Sequence, residues 1–227
     1  MSLLMQYPDR AVLALDLAEV VAEQLRDAIR IRGKASLAVP GGTTPGPFLT
    51  ALSKQKAEWD KISVMLTDER FVPEDSPRSN TRLLKETLLQ GYAAAAKLVP
   101  MVAKGETPEA VLAQLEAGVA PVLPLDVVVL GMGEDMHTAS LFPGADKLEE
   151  ALDDTASLIL PMRAEGAGEP RLTLTAPVLR QAYAVHVLIT GAAKLKALQV
   201  ALQEGPEAEA PVRVVLNRAD TEIHFAE

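Results

Sequence analysis

The chain has 227 residues, and its 22 basic and 31 acidic side chains give a net charge of −9. At roughly 150 residues per domain this length predicts one large domain over residues 1–227, and a hydrophobic fraction of 48% excludes a disordered chain. The acidic balance argues against a nucleic-acid partner, because DNA and RNA favour clustered Lys and Arg. The absence of cysteine excludes disulfides, thiolate catalysis and Cys-ligated zinc, and it fits a reducing compartment.

No segment of the sequence predicts a membrane span. The most apolar stretch, residues 122–132, contains Pro124 and Asp126 and is much shorter than the ~20 residues that a spanning helix needs. The N-terminal residues carry no basic region before an apolar run, so no signal peptide is predicted. We therefore expect a cytoplasmic protein without a membrane partner.

Strand-like and helical patterns alternate along the first half of the chain. Asp16 and Glu19 form a D-x-x-E capping pattern, which predicts that a helix begins there and runs to Gly33. A strand is predicted at residues 36–39, directly before a glycine-rich turn. The further elements expected in this half are a helix beginning near Pro45, a strand at residues 62–67, a long polar loop and a helix at residues 80–89.

The second half continues the same alternation. Residues 125–130 (LDVVVL) form a continuous apolar run, which is typical of a strand buried on both faces of a parallel sheet. Thr107 and Pro108 predict the start of another helix. The other expected strands are residues 99–102, 157–160, 184–190, 212–216 and 222–225, with a helix after Gly191. This order predicts an α/β fold: a doubly wound, mostly parallel, Rossmann-like sheet with helices on both faces.

Chemically unusual residues follow four of the predicted strands. Because ligands bind at the carboxyl ends of strands in such sheets, we expect these residues to share one rim and one site. The four clusters are Gly41-Gly42-Thr43-Thr44-Pro45, Asp68-Glu69-Arg70, the segment from Gly131 to His137, and Gly191 with Lys194.

The first of these clusters fits an anion site, and neither of the first two glycine-containing clusters matches a nucleotide-binding motif. The GGTTP turn opens a helix, so its N–H groups and hydroxyls can hold an anion, although an ordinary turn has the same composition. It is not a Walker A loop, because Pro47 and Phe48 follow Gly46. The Gly131-x-Gly133 pattern lacks the third glycine of a dinucleotide fingerprint, so NAD is not expected.

His137 is the candidate general base. A histidine in a loop at a strand end can act as a general base near neutral pH, and Asp135 is close enough in sequence to orient its ring. The histidines at positions 186 and 224 lie in apolar strands and are expected to be structural. No H-x-H or H-E-x-x-H spacing occurs, so neither a metal site nor a cofactor is predicted.

The charged candidates are open to two interpretations each. Arg70, Arg171 and Lys194 can bind a phosphate, yet any one of them alone equally fits a solvated surface charge. Asp68 and Glu69 follow a strand and fit either a helix cap or a site carboxylate.

Five stretches together resemble the 6-phosphogluconolactonases, within the superfamily that includes glucosamine-6-phosphate deaminase/isomerase. They occur in the family's order over residues 39–198: VPGGTTPGPF, TDERFVPEDSPRSNTRLL, LGMGEDMHTASLFPG, RLTLTAPVL and GAAKLKAL. The resemblance implies a glucosamine-6-phosphate deaminase-type fold. It also implies hydrolysis of 6-phosphoglucono-δ-lactone to 6-phosphogluconate in the oxidative pentose phosphate pathway, without a cofactor.

Three differences separate this chain from the deaminase branch. That branch typically has D-E-Y at the Asp68-Glu69-Arg70 cluster and S-Y where Ser79 and Asn80 stand. It also carries a Glu that assists the histidine, where this chain has Leu141 and Phe142. The lactonase is therefore the favoured interpretation, with an amino-sugar-phosphate deaminase or a non-catalytic sugar-phosphate sensor as alternatives.

The resemblance and the residues together suggest a set of roles. His137 would activate water, and Asp135 or Asp68 would orient His137 or bind sugar hydroxyls. Residues 41–44 with Arg171 and Lys194 would hold the phosphate, while Arg70 would neutralise substrate charge. Two positions depart from the family: Met136 replaces a usual Gly, which is strained if φ is positive there, and Pro40 replaces a usual Ser. The sequence is compatible with a monomer or a small homo-oligomer.

Overall fold

The computed structural model describes residues 3–227 and contains a seven-stranded parallel sheet and a separate three-stranded sheet. The strands are β1 (Leu3–Gln6), β2 (Ala35–Val39), β3 (Ile62–Leu66), β4 (Asp68–Arg70), β5 (Lys97–Leu98), β6 (Val127–Gly131), β7 (Ile159–Met162), β8 (Arg171–Leu174), β9 (Ala184–Thr190) and β10 (Glu222–Ala226). The helices are α1 (Arg10–Arg32), α2 (Gly46–Leu52), α3 (Asn80–Thr87), α4 (Pro108–Val119), α5 (Leu148–Leu152), α6 (Ala176–Arg180), α7 (Ala192–Ala201) and α8 (Arg213–Leu216).

The large sheet reverses its winding direction between β2 and β6. Its strand order is β1-β10-β9-β6-β2-β3-β5, and every neighbouring pair is parallel. The chain passes from β2 outward to β3 and β5, then returns to β6 and continues outward to β9 and β10. Such a reversal leaves a crevice at the carboxyl ends of the two central strands. The predicted α/β fold with a mostly parallel sheet is confirmed.

The first helix begins earlier than the sequence pattern predicts. The side chain of Asp9 accepts a hydrogen bond from the N–H of Val12 at 2.8 Å, so Asp9 is the N-cap, and the prediction that Asp16 caps this helix is wrong. Asp16 lies within α1 and instead accepts a hydrogen bond from the Tyr7 hydroxyl at 2.8 Å. Gly33, with φ of 75°, ends the helix as predicted.

The buried apolar strand predicted at residues 125–130 is confirmed, and it forms β6, Val127–Gly131. Residues 127–130 are completely buried, because β6 has a neighbouring strand on each side and a covered surface on each face. The buried hydrophobic side chains of the described residues form one cluster around it. Within residues 3–227, no helix combines the length and the apolar character needed to cross a membrane.

Two predicted strands are wrong. Residues 212–216 form α8 and its N-cap, with the N–H groups of Val215 and Leu216 both 3.1 Å from the carbonyl oxygen of Val212. A short buried apolar run has no periodicity that separates a strand from a helix. The strand expected at residues 99–102 is also displaced: β5 is Lys97–Leu98, and only the N–H of Val99 still bonds to β3.

The small sheet was not predicted, and it positions several candidate residues. Its order is β4-β8-β7, with both pairs antiparallel. The strand expected at residues 157–160 belongs here as β7, and β4 occupies what the sequence suggested was a polar loop. The register pairs Asp68 with Thr173 and Arg70 with Arg171, so β4 and β8 present their charged side chains together.

Glu69 connects this small sheet to the start of α3. Its buried carboxylate accepts hydrogen bonds from the N–H of Asn80 at 2.9 Å, and from the N–H and hydroxyl of Thr81 at 2.6 and 2.7 Å. The sequence left open whether Asp68 and Glu69 serve as helix caps or as site carboxylates. The hydrogen bonds of Glu69 show that it caps α3.

We predict that Glu69→Ala lowers the free energy of unfolding by about 3 kcal/mol or more, because it leaves several buried donors without an acceptor. Urea denaturation measures the change. Glu86→Ala is the matched control, since Glu86 lies exposed on α3 in an exposed ion pair with Arg82, and its loss should cost less than about 1 kcal/mol. Equal unfolding curves for the two variants would contradict the capping role.

Candidate active site

A cavity of about 300 Å³ opens at the carboxyl ends of the central strands. It lies where the winding of the sheet reverses, and the loops after β2, β3, β6 and β9 all contribute to its walls. Nine of the ten predicted site residues line it: Gly41, Gly42, Thr43, Thr44, Asp68, Arg70, His137, Arg171 and Lys194. The tenth, Asp135, is not among the lining residues but contacts His137.

The turn after β2 brings free backbone donors to the cavity. Gly42 has φ of 89°, a conformation that favours glycine. Within the described chain, the N–H groups of Gly42, Thr43 and Thr44 donate to no protein acceptor. A Cβ on Gly41 would lie 2.0–2.3 Å from the side-chain atoms of Asn80, so this position requires glycine. Asn80 is a cavity residue that sequence reasoning did not select, since only the fold brings it to this turn.

His137 is held by Asp135 and by the loop after β6. Asp135 Oδ1 lies 2.5 Å from His137 Nδ1 and 3.2 Å from its backbone nitrogen. A proton on Nδ1 is therefore shared with the carboxylate, which leaves Nε2 as the ring nitrogen that can accept a proton. The ring of Phe142 packs against the imidazole with 4.4 Å between centroids.

The loop that carries His137 contains the residue that departs from the family pattern. Met136 has φ of 64°, so the position does require the left-handed region and a Met there is strained by roughly 1 kcal/mol. The N–H of Val212 donates to the Met136 carbonyl at 3.0 Å, and the Met136 side chain packs against the core. These contacts hold the loop in this conformation without a glycine.

Arg70 and Arg171 form a pair of like charges beside the cavity. They stand opposite one another on β4 and β8, and the Nε atom of each is buried without a hydrogen-bond partner among residues 3–227. Burial lowers the pKa of the Arg171 guanidinium. Like charges in direct opposition are unfavourable in a sheet, so the arrangement is suited to an anion that bridges them.

Asp68 is bound to this cationic side of the cavity and not to His137. Its Oδ2 accepts a hydrogen bond from the buried hydroxyl of Ser140 at 2.5 Å and lies 3.7 Å from Arg171 Nη1. Its Oδ1 accepts from the Thr67 hydroxyl at 3.2 Å. Of the two carboxylates considered for orienting the histidine, Asp135 is the one in contact with the ring.

Lys194 supplies a third cation from the first turn of α7. It is half-buried, and none of the described residues gives it a hydrogen bond or an ion pair within 4.0 Å. Burial lowers the pKa of its amine, opposed only by the more distant charge of Glu134. An anion in the cavity would restore the favourable environment that the ammonium group lacks.

The fold agrees with comparisons to known proteins. A sequence profile of the family described as glucosamine-6-phosphate isomerases/6-phosphogluconolactonase matches residues 8–225. The chain belongs to this family. A 6-phosphogluconolactonase from Rhizobium meliloti is 48% identical over 221 residues, which cover 96% of this chain and 95% of the relative. Another from Pseudomonas aeruginosa is 42% identical and covers 93% and 90%.

Solved structures of the same family superpose closely on the chain. A 6-phosphogluconolactonase from Shewanella baltica matches with a TM-score of 0.96 at 33% identity, covering 100% of this chain and 98% of that one. A monomeric glucosamine-6-phosphate deaminase matches with a TM-score of 0.81 at 16% identity, covering 100% and 98%, and this likeness shows the fold alone. The glucosamine-6-phosphate deaminase-type fold implied by the sequence resemblance is confirmed.

We predict that inorganic phosphate binds in the cavity and that Lys194→Met weakens this binding about tenfold or more, because one charge-assisted contact is lost. Isothermal titration calorimetry measures the dissociation constant. Lys196→Met is the matched control, since Lys196 is exposed on the same helix and its loss changes the net charge equally. Equal affinities for the two variants, or no binding by the unmodified protein, would contradict the assignment.

Proposed function

We propose that this protein hydrolyses 6-phosphoglucono-δ-lactone to 6-phosphogluconate. The observation that carries the proposal is that a histidine with an oriented proton-accepting nitrogen and three cations face one cavity. Membership of the family, and the activity named for relatives up to 48% identical over nearly the full chain, support the choice of substrate. The absence of cysteine supports a cytoplasmic location, where this sugar phosphate would be an intermediate of the oxidative pentose phosphate pathway.

In this proposal the phosphate of the substrate binds at the cationic side of the cavity. Arg70, Arg171 and Lys194 surround an anion, and the unpaired N–H groups of the turn after β2 donate to its oxygens. Asp68 restrains the Arg171 guanidinium and lines the cavity, where its carboxylate accepts a hydrogen bond from a hydroxyl group of the sugar. Binding the phosphate fixes the lactone carbonyl relative to His137, which is an orientation effect.

The chemistry then requires one proton to be taken and returned. His137 Nε2 removes a proton from a water molecule while the water oxygen adds to the lactone carbonyl carbon. The tetrahedral intermediate collapses with cleavage of the bond to the ring oxygen, and the imidazolium returns its proton to that oxygen. The products are a carboxylic acid and a hydroxyl group. Asp135 stabilises the imidazolium and keeps Nε2 turned toward the water.

The surroundings of His137 favour a lactonase over a deaminase. Phe142 packs against the imidazole, and Leu141, which precedes it in the chain, is completely buried. Neither side chain can transfer a proton, whereas the resembling deaminase stretch supplies a Glu at this place. Glucosamine 6-phosphate should therefore release no ammonia when it is incubated with the purified protein.

We predict that His137→Ala lowers kcat by about 10²–10⁴-fold with a much smaller change in KM, because general-base catalysis is lost and the phosphate contacts remain. The measurement is the rate of acid production from the lactone, with spontaneous hydrolysis subtracted. Asp135→Asn should give a smaller loss. Unchanged turnover in His137→Ala would show that this histidine is not the base.

We also predict that Gly133→Ala lowers kcat about 10²-fold. A Cβ at this position would lie 2.2 Å from His137 Nδ1 and 2.4 Å from Asp135 Oδ1, so both groups must shift. Gly46→Ala is the control, because a Cβ on Gly46 meets no atom within 4 Å. The same assay decides, and equal activities of the two variants would exclude a positioning role for Gly133.

A further inference from the structure

A second group of ionisable side chains lies away from the cavity, beside α1. It consists of His186 on β9 with Glu222 and His224 on β10, and none of the three lines the cavity. The parallel register places Glu222 opposite His186, and His224 follows two residues later on the same face of the sheet. These residues are 36 or more positions apart between the two strands, so their spacing in the sequence gave no metal-binding signal.

The three potential ligand atoms converge on one point. His186 Nδ1 lies 3.0 Å from His224 Nε2 and 3.3 Å from Glu222 Oε2, and the last two atoms are 3.8 Å apart. Ligands bound about 2.0–2.2 Å from a tetrahedral Zn²⁺ are about 3.3–3.5 Å from one another. The observed separations bracket that range.

The outer nitrogen of each histidine is already occupied. The Tyr7 hydroxyl donates its proton to Asp16, so its oxygen accepts a hydrogen bond from His224 Nδ1 at 3.0 Å. His186 Nε2 lies 2.8 Å from Gln24 Oε1, which is an acceptor. Both outer nitrogens therefore act as donors, and the inner nitrogens direct their lone pairs toward each other and toward the Glu222 carboxylate.

Two facing lone pairs and a carboxylate require a cation between them, either a single shared proton or a metal ion. Two histidines and one carboxylate form a donor set used for Zn²⁺. Metal-binding histidines characteristically donate their other N–H to an oxygen, as both of these do. His186 and His224 are buried, whereas the side chain of Glu222 is 34% exposed and gives an ion access from solvent.

We propose that His186, Glu222 and His224 bind a divalent transition-metal ion of the Zn²⁺ type, with a fourth position open to water. Because the cluster does not reach the cavity, the ion takes no part in lactone hydrolysis. Its role is to link β9 to β10 and so stabilise the folded chain, since an unfolded chain does not preform the site.

The test uses the full-length protein after dialysis against a chelator. Titration with ZnCl₂ should show one equivalent bound per chain, and Co²⁺ in its place should give the visible absorption of a tetrahedral site. Zn²⁺ at 100 times its Kd should raise Tm by about 5–10 °C. If neither ion binds, the cluster holds only a shared proton and the proposal is wrong.

Substitutions locate the bound ion. Glu222→Gln should weaken Zn²⁺ binding at least tenfold and remove most of the rise in Tm, while Glu149→Gln, an exposed carboxylate on α5, should change neither. Gln24→Leu leaves all three ligands in place and should weaken binding about 10–100-fold, because His186 loses its outer acceptor. Binding that survives Glu222→Gln and is lost in His137→Ala would place the ion at the active site and overturn the proposal.

Discussion

The parallel pairing of β2 with β6 is the constraint on which the candidate site depends. Because these strands run in the same direction and the sheet reverses its winding between them, their following loops meet at one crevice. One loop brings free backbone donors and the other brings His137. The small sheet lies beside the same crevice and adds the two arginines. The site is therefore built from segments distant in sequence, and the strands fix the relative positions of its residues.

The charges that line this crevice are suited to an anion. The chain as a whole is acidic, with a net charge of −9, yet Arg70, Arg171 and Lys194 converge on a single cavity. Two buried guanidinium nitrogens have no hydrogen-bond partner in the described part of the chain, and burial lowers the pKa of the half-buried ammonium group. Both are costly in the absence of an anion. In the proposed function, a bound phosphate offsets this cost. The proposal therefore rests on the position of a few cations and not on the net charge.

The sequence predicts the parts of this structure that local chemistry determines. The buried strand before Gly131, the turn after β2 and the Thr107 cap follow from hydrophobic runs, glycine and capping residues. Contacts that depend on tertiary packing could not be predicted, such as the hydrogen bond from the Ser140 hydroxyl to Asp68. Residues 212–216 show why: an apolar run of five residues fits a strand or a helix until its neighbours are known. The sequence also could not decide whether Asp68 or Asp135 contacts His137. Asp68 lies near Arg171 because β4 and β8 pair in the antiparallel sheet, which the sequence did not predict.

The proposed mechanism requires the cations to hold the phosphate and thereby align the lactone carbonyl with His137. The most direct measurement compares kcat/KM for 6-phosphoglucono-δ-lactone with that for glucono-δ-lactone, which has the same reacting ring and no phosphate. Spontaneous hydrolysis is subtracted for each. We expect kcat/KM for the unphosphorylated lactone to be lower by about 10³-fold or more, since both binding and orientation are lost. Equal values for the two lactones would contradict it.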